Sequence, residues 1–262
     1  MSDAFQATTA VVTGSSSGIG RATAIALAKA GVERLVVHFC SNQDGASETA
    51  DALRENGCEP VLVSADLSLP EGRQFLIDQA FDSLGLIQTW VNNAGADVLT
   101  GIAATLDFEA KLRCLLEVDV LGTILLSREV AERMVNQADQ QSSQQPAAMV
   151  FVGWDQALQG MEGDAGQMFG PAKAAVMAFA NSLAQSTGPQ LRVNTIAPGW
   201  IRTSWGETTS DYWDQRAKGQ ALMERWGSVD DIAKAVLYAA DPANTFLTAQ
   251  TIQLNGGFNR RF

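Results

Sequence analysis

The chain has 262 residues, 46% of them hydrophobic, and this length and composition suit one large α/β domain. Lysine and arginine number 18 against 29 aspartate and glutamate residues, and the formal net charge of -11 argues against nucleic acid or an anionic membrane surface as a partner. No run is long enough to span a bilayer, Met1–Thr9 does not resemble a signal peptide, and three scattered cysteines indicate reduced thiols in a cytoplasmic protein.

Strand-like and helix-like segments alternate along the chain. Short apolar runs predict strands at Ala10–Thr13, Leu35–Phe39, Pro60–Ser64, Thr89–Asn92, Met149–Val152, Leu191–Ile196 and Gln250–Leu254. Helices are predicted between them at Ile19–Ala30, Asp44–Asn56, Pro70–Leu84, about Phe108 to Val135, Ala165–Thr187 and Val229–Ala240. This order predicts a single-domain, doubly wound Rossmann fold, with a parallel seven-stranded sheet covered by helices on both faces.

Two irregular stretches interrupt this alternation. The polar segment Asn136–Gln145 is typical of a surface loop, whereas Pro198–Gly227 is rich in tryptophan. The second stretch follows the carboxyl end of a strand, which is where open α/β sheets bind ligands. The one histidine of the chain, His38, falls inside a predicted strand, so neither a histidine-based triad nor a metal site is expected.

A glycine-rich turn follows the first predicted strand. Its sequence is Thr13-Gly14-Ser15-Ser16-Ser17-Gly18-Ile19-Gly20, and an alanine-rich helix comes next. Glycine has no Cβ, so the backbone can approach a pyrophosphate closely, and the N–H groups and dipole at a helix start favour that anion. The turn therefore predicts a dinucleotide site, although a glycine-rich turn without a ligand has the same local signature.

Further motifs follow other predicted strands: Asp66 after the third, Asn92-Asn93-Ala94-Gly95 after the fourth, and Pro198-Gly199 after the sixth. Together with the glycine turn and the terminal Gly256-Gly257-Phe258, they cover nearly the whole chain. In this pattern the chain resembles the short-chain dehydrogenase/reductase family and is close to its 3-oxoacyl-carrier-protein reductase branch. The resemblance implies a nicotinamide cofactor and hydride transfer between a carbonyl and an alcohol.

The resemblance also implies which residues hold the cofactor. Gly14, Gly18 and Gly20 would cradle the diphosphate, and Asp66 would accept a hydrogen bond from the adenine amino group. The remaining implied contacts are Ser16, Ser17, Ile19, Ser41, Asn42, Leu67, Asn92, Ala94, Gly95, Lys173, Pro198, Gly199, Ile201 and Thr203. The second strand leads into Cys40 without an acidic residue that would repel a 2′-phosphate, which favours NADP. Because no arginine follows to bind that phosphate, NAD stays open.

The catalytic motifs depart from the family pattern at three of four positions. Phe169 stands where the family has the proton-donating tyrosine of Tyr-x-x-x-Lys, although Lys173 is kept. Gly153-Trp154-Asp155-Gln156 follows the fifth strand where the family has paired serines, and Asp119 replaces the asparagine of the long helix. A phenyl ring has no ionisable proton, so the family's proton transfer cannot run through residue 169.

Other side chains are candidates for the lost acid. Asp155 is the residue nearest the expected serine position. In an apolar pocket between Trp154 and Phe169 it would have a raised pKa and would then protonate an oxygen; alternatively, it caps the following turn. Asp119 either mimics the asparagine at a helix distortion or pairs with Lys173. Tyr212 is a further candidate, because it lies in the stretch at about 200–227 that the family folds over the substrate as a lid. The catalytic residues are thus predicted to be Lys173, Asp155 and Asp119.

Aromatic side chains at Trp154, Phe169, Trp200 and Trp205 predict a substrate pocket for a small planar or apolar molecule. Three functions stay open. They are an NAD(P)-dependent oxidoreductase with a rebuilt proton donor, a nucleotide-binding pseudoenzyme, and a non-redox enzyme that uses a carboxylate as base for elimination or dehalogenation. The first is preferred because the cofactor motifs are preserved in form.

Two helical segments, Ala174–Ala184 and Val118–Leu126, are apolar on nearly every side. Such a helix needs a partner besides its own sheet, and the resemblance implies that these helices form a subunit interface. A homodimer or homotetramer is therefore expected, with deep burial inside one subunit as the alternative.

Overall fold

Seven strands form one sheet in which every neighbouring pair is parallel. The structure, a computed structural model, describes residues 7–141, 146–203, 206 and 209–258. In chain order the strands are β1 Thr9–Val12, β2 Arg34–Phe39, β3 Glu59–Ser64, β4 Thr89–Asn92, β5 Ala147–Val152, β6 Leu191–Pro198 and β7 Thr251–Leu254. Their spatial order is β3-β2-β1-β4-β5-β6-β7, so the predicted parallel seven-stranded Rossmann sheet is confirmed.

Helices connect the strands and cover both faces of the sheet. They are α1 Gly18–Ala30, α2 Gln43–Glu55, α3 Pro70–Leu84, α4 Phe108–Leu115, α5 Thr123–Gln141, α6 Gly163–Thr187, α7 Asp211–Gln220 and α8 Val229–Ala240. A short 3₁₀ helix, Ile102–Thr105, precedes α4, and a π-helical stretch, Leu116–Gly122, joins α4 to α5. Among the described residues, no helix is both long and apolar enough to cross a bilayer.

Some predicted elements differ from the structure. The helix predicted at about Phe108 to Val135 changes to π-type hydrogen bonding at Leu116–Gly122, a shift that apolar spacing does not reveal. The helix then continues to Gln141, so the first part of the predicted loop Asn136–Gln145 is helical, and residues 142–145 lie outside the described residues. Helix α7 forms within the stretch that was predicted to be irregular.

The two faces of the sheet bury separate apolar clusters. Val11 packs with Val36 and Trp90 on one face, whereas Val12 packs with Val37 on the other. This split follows from the alternation of side chains along each strand. Because helices cover both faces, the strands are continuous apolar runs in the sequence, which is why they could be predicted.

The strand order reverses at β1, which pairs with β2 on one side and with β4 on the other. Since all strands are parallel, their carboxyl ends meet at one edge of the sheet. The glycine turn after β1, the Asn92–Gly95 motif after β4 and the Pro198-Gly199 pair at the end of β6 therefore lie at the same edge. In open α/β sheets, ligands bind in the crevice at such a reversal.

Candidate active site

The glycine turn after β1 is clamped to the end of β4. Gly14 has a φ of +63°, and a Cβ atom added there would lie 2.8 Å from the Cα of Ala94. A Cβ added at Gly20 would lie 2.2 Å from the carbonyl oxygen of Gly14. The Asn93 amide donates hydrogen bonds of 3.0 Å to the carbonyl oxygens of Thr13 and Gly14. The turn is thus tightly packed, and the Asn93 side chain holds it, a role that the sequence analysis did not assign.

His38 supports the same turn from below. Its Nδ1 accepts a hydrogen bond of 3.1 Å from the Gly14 N–H, and its Nε2 lies 3.0 Å from the carbonyl oxygen of Ala65. The ring must therefore be neutral, with the proton on Nε2. Burial lowers the pKa of His38 to about 4, which keeps it in this form at neutral pH. The strand position of His38 was predicted, but this contact was not.

The β2–α2 loop borders the turn on the other side. Cys40, Ser41 and Asn42 are exposed there, and the Asn42 side-chain oxygen accepts the Gly45 N–H at 3.1 Å as the cap of α2. A Cβ added at Gly45 would lie 2.4 Å from the carbonyl oxygen of Ser16, so α2 packs directly on the glycine turn. Asn42 was predicted to contact the cofactor, but its side-chain oxygen is already used in the cap of α2.

Other predicted cofactor residues have structural contacts of their own. Asp66 accepts hydrogen bonds from the backbone N–H and hydroxyl of Ser68, at 2.9 and 2.7 Å. Leu67 is buried, and so is Asn92, whose side-chain oxygen accepts the Trp90 indole N–H at 3.0 Å. Asn92 therefore packs beneath the crevice, whereas the sequence analysis predicted that it contacts the cofactor.

A cleft of about 410 Å³ opens between the ends of β4, β5 and β6. It begins at Ile19 in the first turn of α1 and ends at Lys173 on α6. The other predicted cofactor residues that line it are Gly95, Pro198, Gly199, Ile201 and Thr203. Asp119, Phe169 and Trp200 line it as well, so the structure brings these predicted residues together.

Lys173 and Asp119 form an ion pair inside this cleft. The Lys173 ammonium lies 2.9 Å from Asp119 Oδ2, with side-chain exposures of 17% and 2%. The Asp119 Oδ1 accepts the Ala96 N–H at 2.7 Å. Asp119 also lies in the π-helical stretch, which is a helix distortion. The two alternatives predicted for this residue, a position at a helix distortion and an ion pair with Lys173, therefore both occur. Gly95 is required beside the pair, because a Cβ there would lie 2.9 Å from Asp119 Oδ2.

A second cavity of about 410 Å³ shares Gly153, Phe169, Lys173 and Trp200 with the cleft. Trp154 lines this cavity, as predicted, and Trp213 from α7 lines it without having been predicted. Leu99, Met161 and Ala165 complete an almost entirely apolar wall. Trp205, the fourth predicted pocket residue, lies outside the described residues.

Asp155 and Tyr212 are absent from the described residues that line these two cavities. Asp155 is 4% exposed, and its Oδ2 accepts the Asn255 side-chain N–H at 2.9 Å. Burial raises the pKa of Asp155, and the Asn255 hydrogen bond opposes that rise. Tyr212 is largely exposed, with its hydroxyl 3.5 Å from Arg216 Nη1. The structure thus places neither candidate acid among the described residues that share a cavity lining with Lys173.

Helix α7 closes the outer side of the aromatic cavity. Arg216 on α7 forms a bidentate ion pair with Glu162, in which Nη2 lies 2.9 Å from Oε2. Its guanidinium carbon lies 5.1 Å from the Trp213 ring centre and 5.9 Å from that of Trp200. The Trp200 indole N–H donates to Gln220 at 2.8 Å. These contacts connect α7 with the loop before α6 and with the end of β6.

Comparisons with known proteins agree with this architecture. Residues 14–259 match the family model described as enoyl-(acyl carrier protein) reductase. The chain is 28% identical to glucose 1-dehydrogenase 2 of Bacillus subtilis, over 95% of this chain and 93% of that protein. It is 29% identical to a 3-oxoacyl-[acyl-carrier-protein] reductase of Synechocystis, over 97% and 98% of the two chains.

Two solved structures show the same fold with a nucleotide. One is a 7α-hydroxysteroid dehydrogenase complexed with NADH and 7-oxo glycochenodeoxycholic acid, with a TM-score of 0.85, 25% identity and coverage of 98% of this chain and 96% of that one. The other is a 3-oxoacyl (acyl-carrier-protein) reductase from Agrobacterium tumefaciens with NADP bound, with a TM-score of 0.83, 25% identity and coverage of 97% and 95%. The family match and these relatives agree with the predicted resemblance, and the chain belongs to the short-chain dehydrogenase/reductase family of oxidoreductases.

Proposed function

We propose that the protein is an NAD(P)-dependent oxidoreductase that interconverts a small carbonyl compound and its alcohol. The observation that carries this proposal is the single cleft shared by Ile19, at the start of α1, and by Lys173 with Asp119. A bound nicotinamide would supply or accept the hydride. The protein would be a divergent family member in which Phe169 stands in place of the catalytic tyrosine and the segment Gly153-Trp154-Asp155-Gln156 stands in place of the paired serines.

The start of α1 fits a dinucleotide diphosphate. Ser17, the N-cap residue, makes no side-chain cap, in contrast to the N-caps of α2 and α8. Gly18 has a φ of +55°, and a Cβ atom added there would point into open space. Helix-start N–H groups without a cap and an open approach for a ligand suit an anion at this position. Gly14, Gly20 and Asn93 would keep the turn in shape for it.

The cofactor preferred by this site is proposed to be NADP. The exposed loop residues Cys40, Ser41 and Asn42 present no carboxylate to a 2′-phosphate. Calorimetric titration of the protein with NADPH and with NADH tests this choice. Tighter binding of NADPH is expected, whereas tighter binding of NADH would contradict it.

Lys173 is proposed to be the proton donor in the absence of a phenol. During reduction, negative charge develops on the substrate oxygen, and an ammonium group facing the cleft can donate a proton to it. Asp119 would hold that ammonium in place, and the lysine would regain its proton from solvent. Asp155, which the sequence analysis favoured, lies against Asn255 and is not needed for this step.

The substrate is proposed to be uncharged and planar or apolar. The second cavity presents aromatic faces from Trp154, Phe169, Trp200 and Trp213. Among the described residues that line it, Lys173 is the charged one, and Asp119 already pairs with it. An anionic substrate would therefore gain little from this wall and would lose its hydration.

Absorbance assays with NADPH test the function directly. We expect turnover of a neutral planar ketone such as 2-acetylnaphthalene, with 2-naphthoate failing to inhibit it at equal concentration. Lys173→Gln should abolish turnover, and Asp155→Asn should retain it. If NADPH binds but no carbonyl compound in a broad panel is reduced, the protein is a nucleotide-binding pseudoenzyme instead.

The stretch at about 200–227 is proposed to act as the substrate lid, since it contains α7, which carries Trp213 into the wall of the aromatic cavity.

The protein is also proposed to form a homodimer or homotetramer. Leu116, Leu121 and Leu125 expose 40, 53 and 46% of their surface along the π-helical stretch and the start of α5. These three exposed leucines form an apolar row, and such a row suits an interface between copies of the chain. Sedimentation velocity should show dimers or tetramers, and Leu121→Glu should shift them towards monomers.

A further inference from the structure

Three strand ends meet around one buried carboxylate. Asp155 follows β5, Gly199 follows β6, and Asn255 follows β7. The Asp155 N–H donates to the carbonyl oxygen of Pro198 at 3.0 Å, and its Oδ2 accepts the Asn255 amide at 2.9 Å. Gly199 must be glycine, because a Cβ there would lie 2.5 Å from the Cβ of Asn255 and 3.2 Å from Asp155 Oδ2. Asp155 is thereby fixed against Asn255.

Asn255 in turn holds the segment that follows β7. Its side-chain oxygen accepts the Gly257 N–H at 3.0 Å. Gly256 and Gly257 have φ values of +70° and +75°, so the chain turns sharply there in a conformation that favours glycine. The turn aims the carbonyl groups of both glycines at the chain that leaves α7.

These carbonyl groups bind the end of α7. The Leu222 N–H donates to the Gly257 oxygen at 2.7 Å, and the Met223 N–H donates to the Gly256 oxygen at 3.1 Å. Leu222 and Met223 lie directly after α7, which carries Trp213 into the wall of the aromatic cavity. A continuous series of hydrogen bonds therefore connects Asp155 with the base of α7.

We propose that Asp155 is a positioning residue that orders helix α7 over the aromatic cavity, acting through Asn255 and the glycine pair Gly256-Gly257. What this role requires of residue 155 is a hydrogen-bond acceptor of the right shape, not an exchangeable proton. Asparagine would keep the acceptor oxygen and remove the ionisable group, whereas alanine removes both. This contrast separates positioning from proton donation, and it does not depend on whether the protein reduces carbonyl compounds.

Hydrogen–deuterium exchange with residue-level resolution tests the proposal on the full chain. In Asp155→Ala, the Leu222 and Met223 amides should exchange about tenfold faster than in the wild type, because the support of their acceptors is lost. In Asp155→Asn, the rates should stay within about twofold of the wild type. Amides of β1 and α1 should be unchanged in both variants, as should all amides near α7 in Asp107→Ala, which removes the N-cap of the distant α4.

Asn255→Ala provides a second route if Asp155→Ala does not fold. It removes the intermediate partner and should accelerate the same two amides. The proposal is overturned if a folded Asp155→Ala or Asn255→Ala variant leaves exchange at Leu222 and Met223 unchanged. It is equally overturned if Asp155→Asn accelerates them as much as alanine does, because the acceptor alone would then be insufficient.

Discussion

The Lys173 ammonium lies 2.9 Å from the carboxylate of Asp119, although the two residues are on different helical segments. Asp119 is almost fully buried, and its other oxygen accepts the Ala96 N–H. The pair therefore fixes the position of α6 against the π-helical stretch at the floor of the cleft. It also holds the Lys173 ammonium at the cleft, where the proposed chemistry uses its proton.

Removal of the carboxylate should destabilise the fold. Asp119→Leu leaves a largely buried ammonium without its partner, and the free energy of unfolding should fall by about 3 kcal/mol. Asp119→Asn keeps one acceptor for the Ala96 N–H but turns its amide N–H groups towards the ammonium, so it should cost a similar amount, about 3 kcal/mol. Urea denaturation at pH 7 measures both values. Equal stability of the leucine variant and the wild type would contradict the importance of the pair.

Introducing a phenol at residue 169 should increase the proposed carbonyl reduction. Phe169 lies one helical turn before Lys173 on α6 and lines the same cleft, so tyrosine at this position would place an ionisable hydroxyl beside the ammonium. General acid catalysis by a well-placed group contributes about a hundredfold, and Phe169→Tyr should raise carbonyl reduction by that order. NADPH oxidation with 2-acetylnaphthalene measures the gain. Phe169→Leu is the control, and equal rates for the two variants would refute the expectation.

Much of the fold could be predicted because its signals are local. The apolar strands, the alternation with helices and the glycine turn are each encoded within a few neighbouring residues. Hydrophobic periodicity does not encode a change of hydrogen-bond register, so the π-helical stretch at Leu116–Gly122 was missed. Helix α7 was missed because its sequence is mostly polar, and its stabilising contacts come from Glu162 and Trp200 in other parts of the chain.

The candidate site was predictable only in part for a related reason. Lys173 and Asp119 were identified because each occupies a recognisable motif. The position of Asp155 depends on Asn255, which lies 100 residues further along the chain. Because Asp155 is next to Trp154 in the sequence, its carboxylate was expected to face the aromatic cavity. The packing of β5, β6 and β7 instead brings the carboxylate against Asn255 at the end of β7. Such long-range contacts cannot be deduced from spacing.

His38 should make the stability of the protein depend on pH. Its pKa is about 4 in the folded chain against an ordinary value of 6.5, so the unfolded chain takes up a proton first as the pH falls. The stabilisation is therefore complete above pH 6.5 and is lost towards pH 4, by about 3 kcal/mol. Urea denaturation between pH 7 and pH 4.5 measures this loss.

His38→Gln separates this effect from the titration of the acidic residues. Glutamine does not titrate, so the variant should lose less stability than the wild type over the same pH range, and the difference should approach the histidine contribution. Parallel pH profiles for the two proteins would show that His38 does not bind its proton more weakly in the folded state.

Arg216 should control the shape of the aromatic cavity more than the stability of the fold. Glu162, its partner, is exposed, so loss of the ion pair should cost less than about 1 kcal/mol. The guanidinium also stacks on Trp200 and Trp213, and Arg216→Ala should weaken binding of 2-acetylnaphthalene about fivefold and shift tryptophan emission to longer wavelength. Lys218→Ala is the matched control, since Lys218 pairs with Asp214 on the same helix. If both variants bind the ketone with wild-type affinity, Arg216 does not shape the cavity.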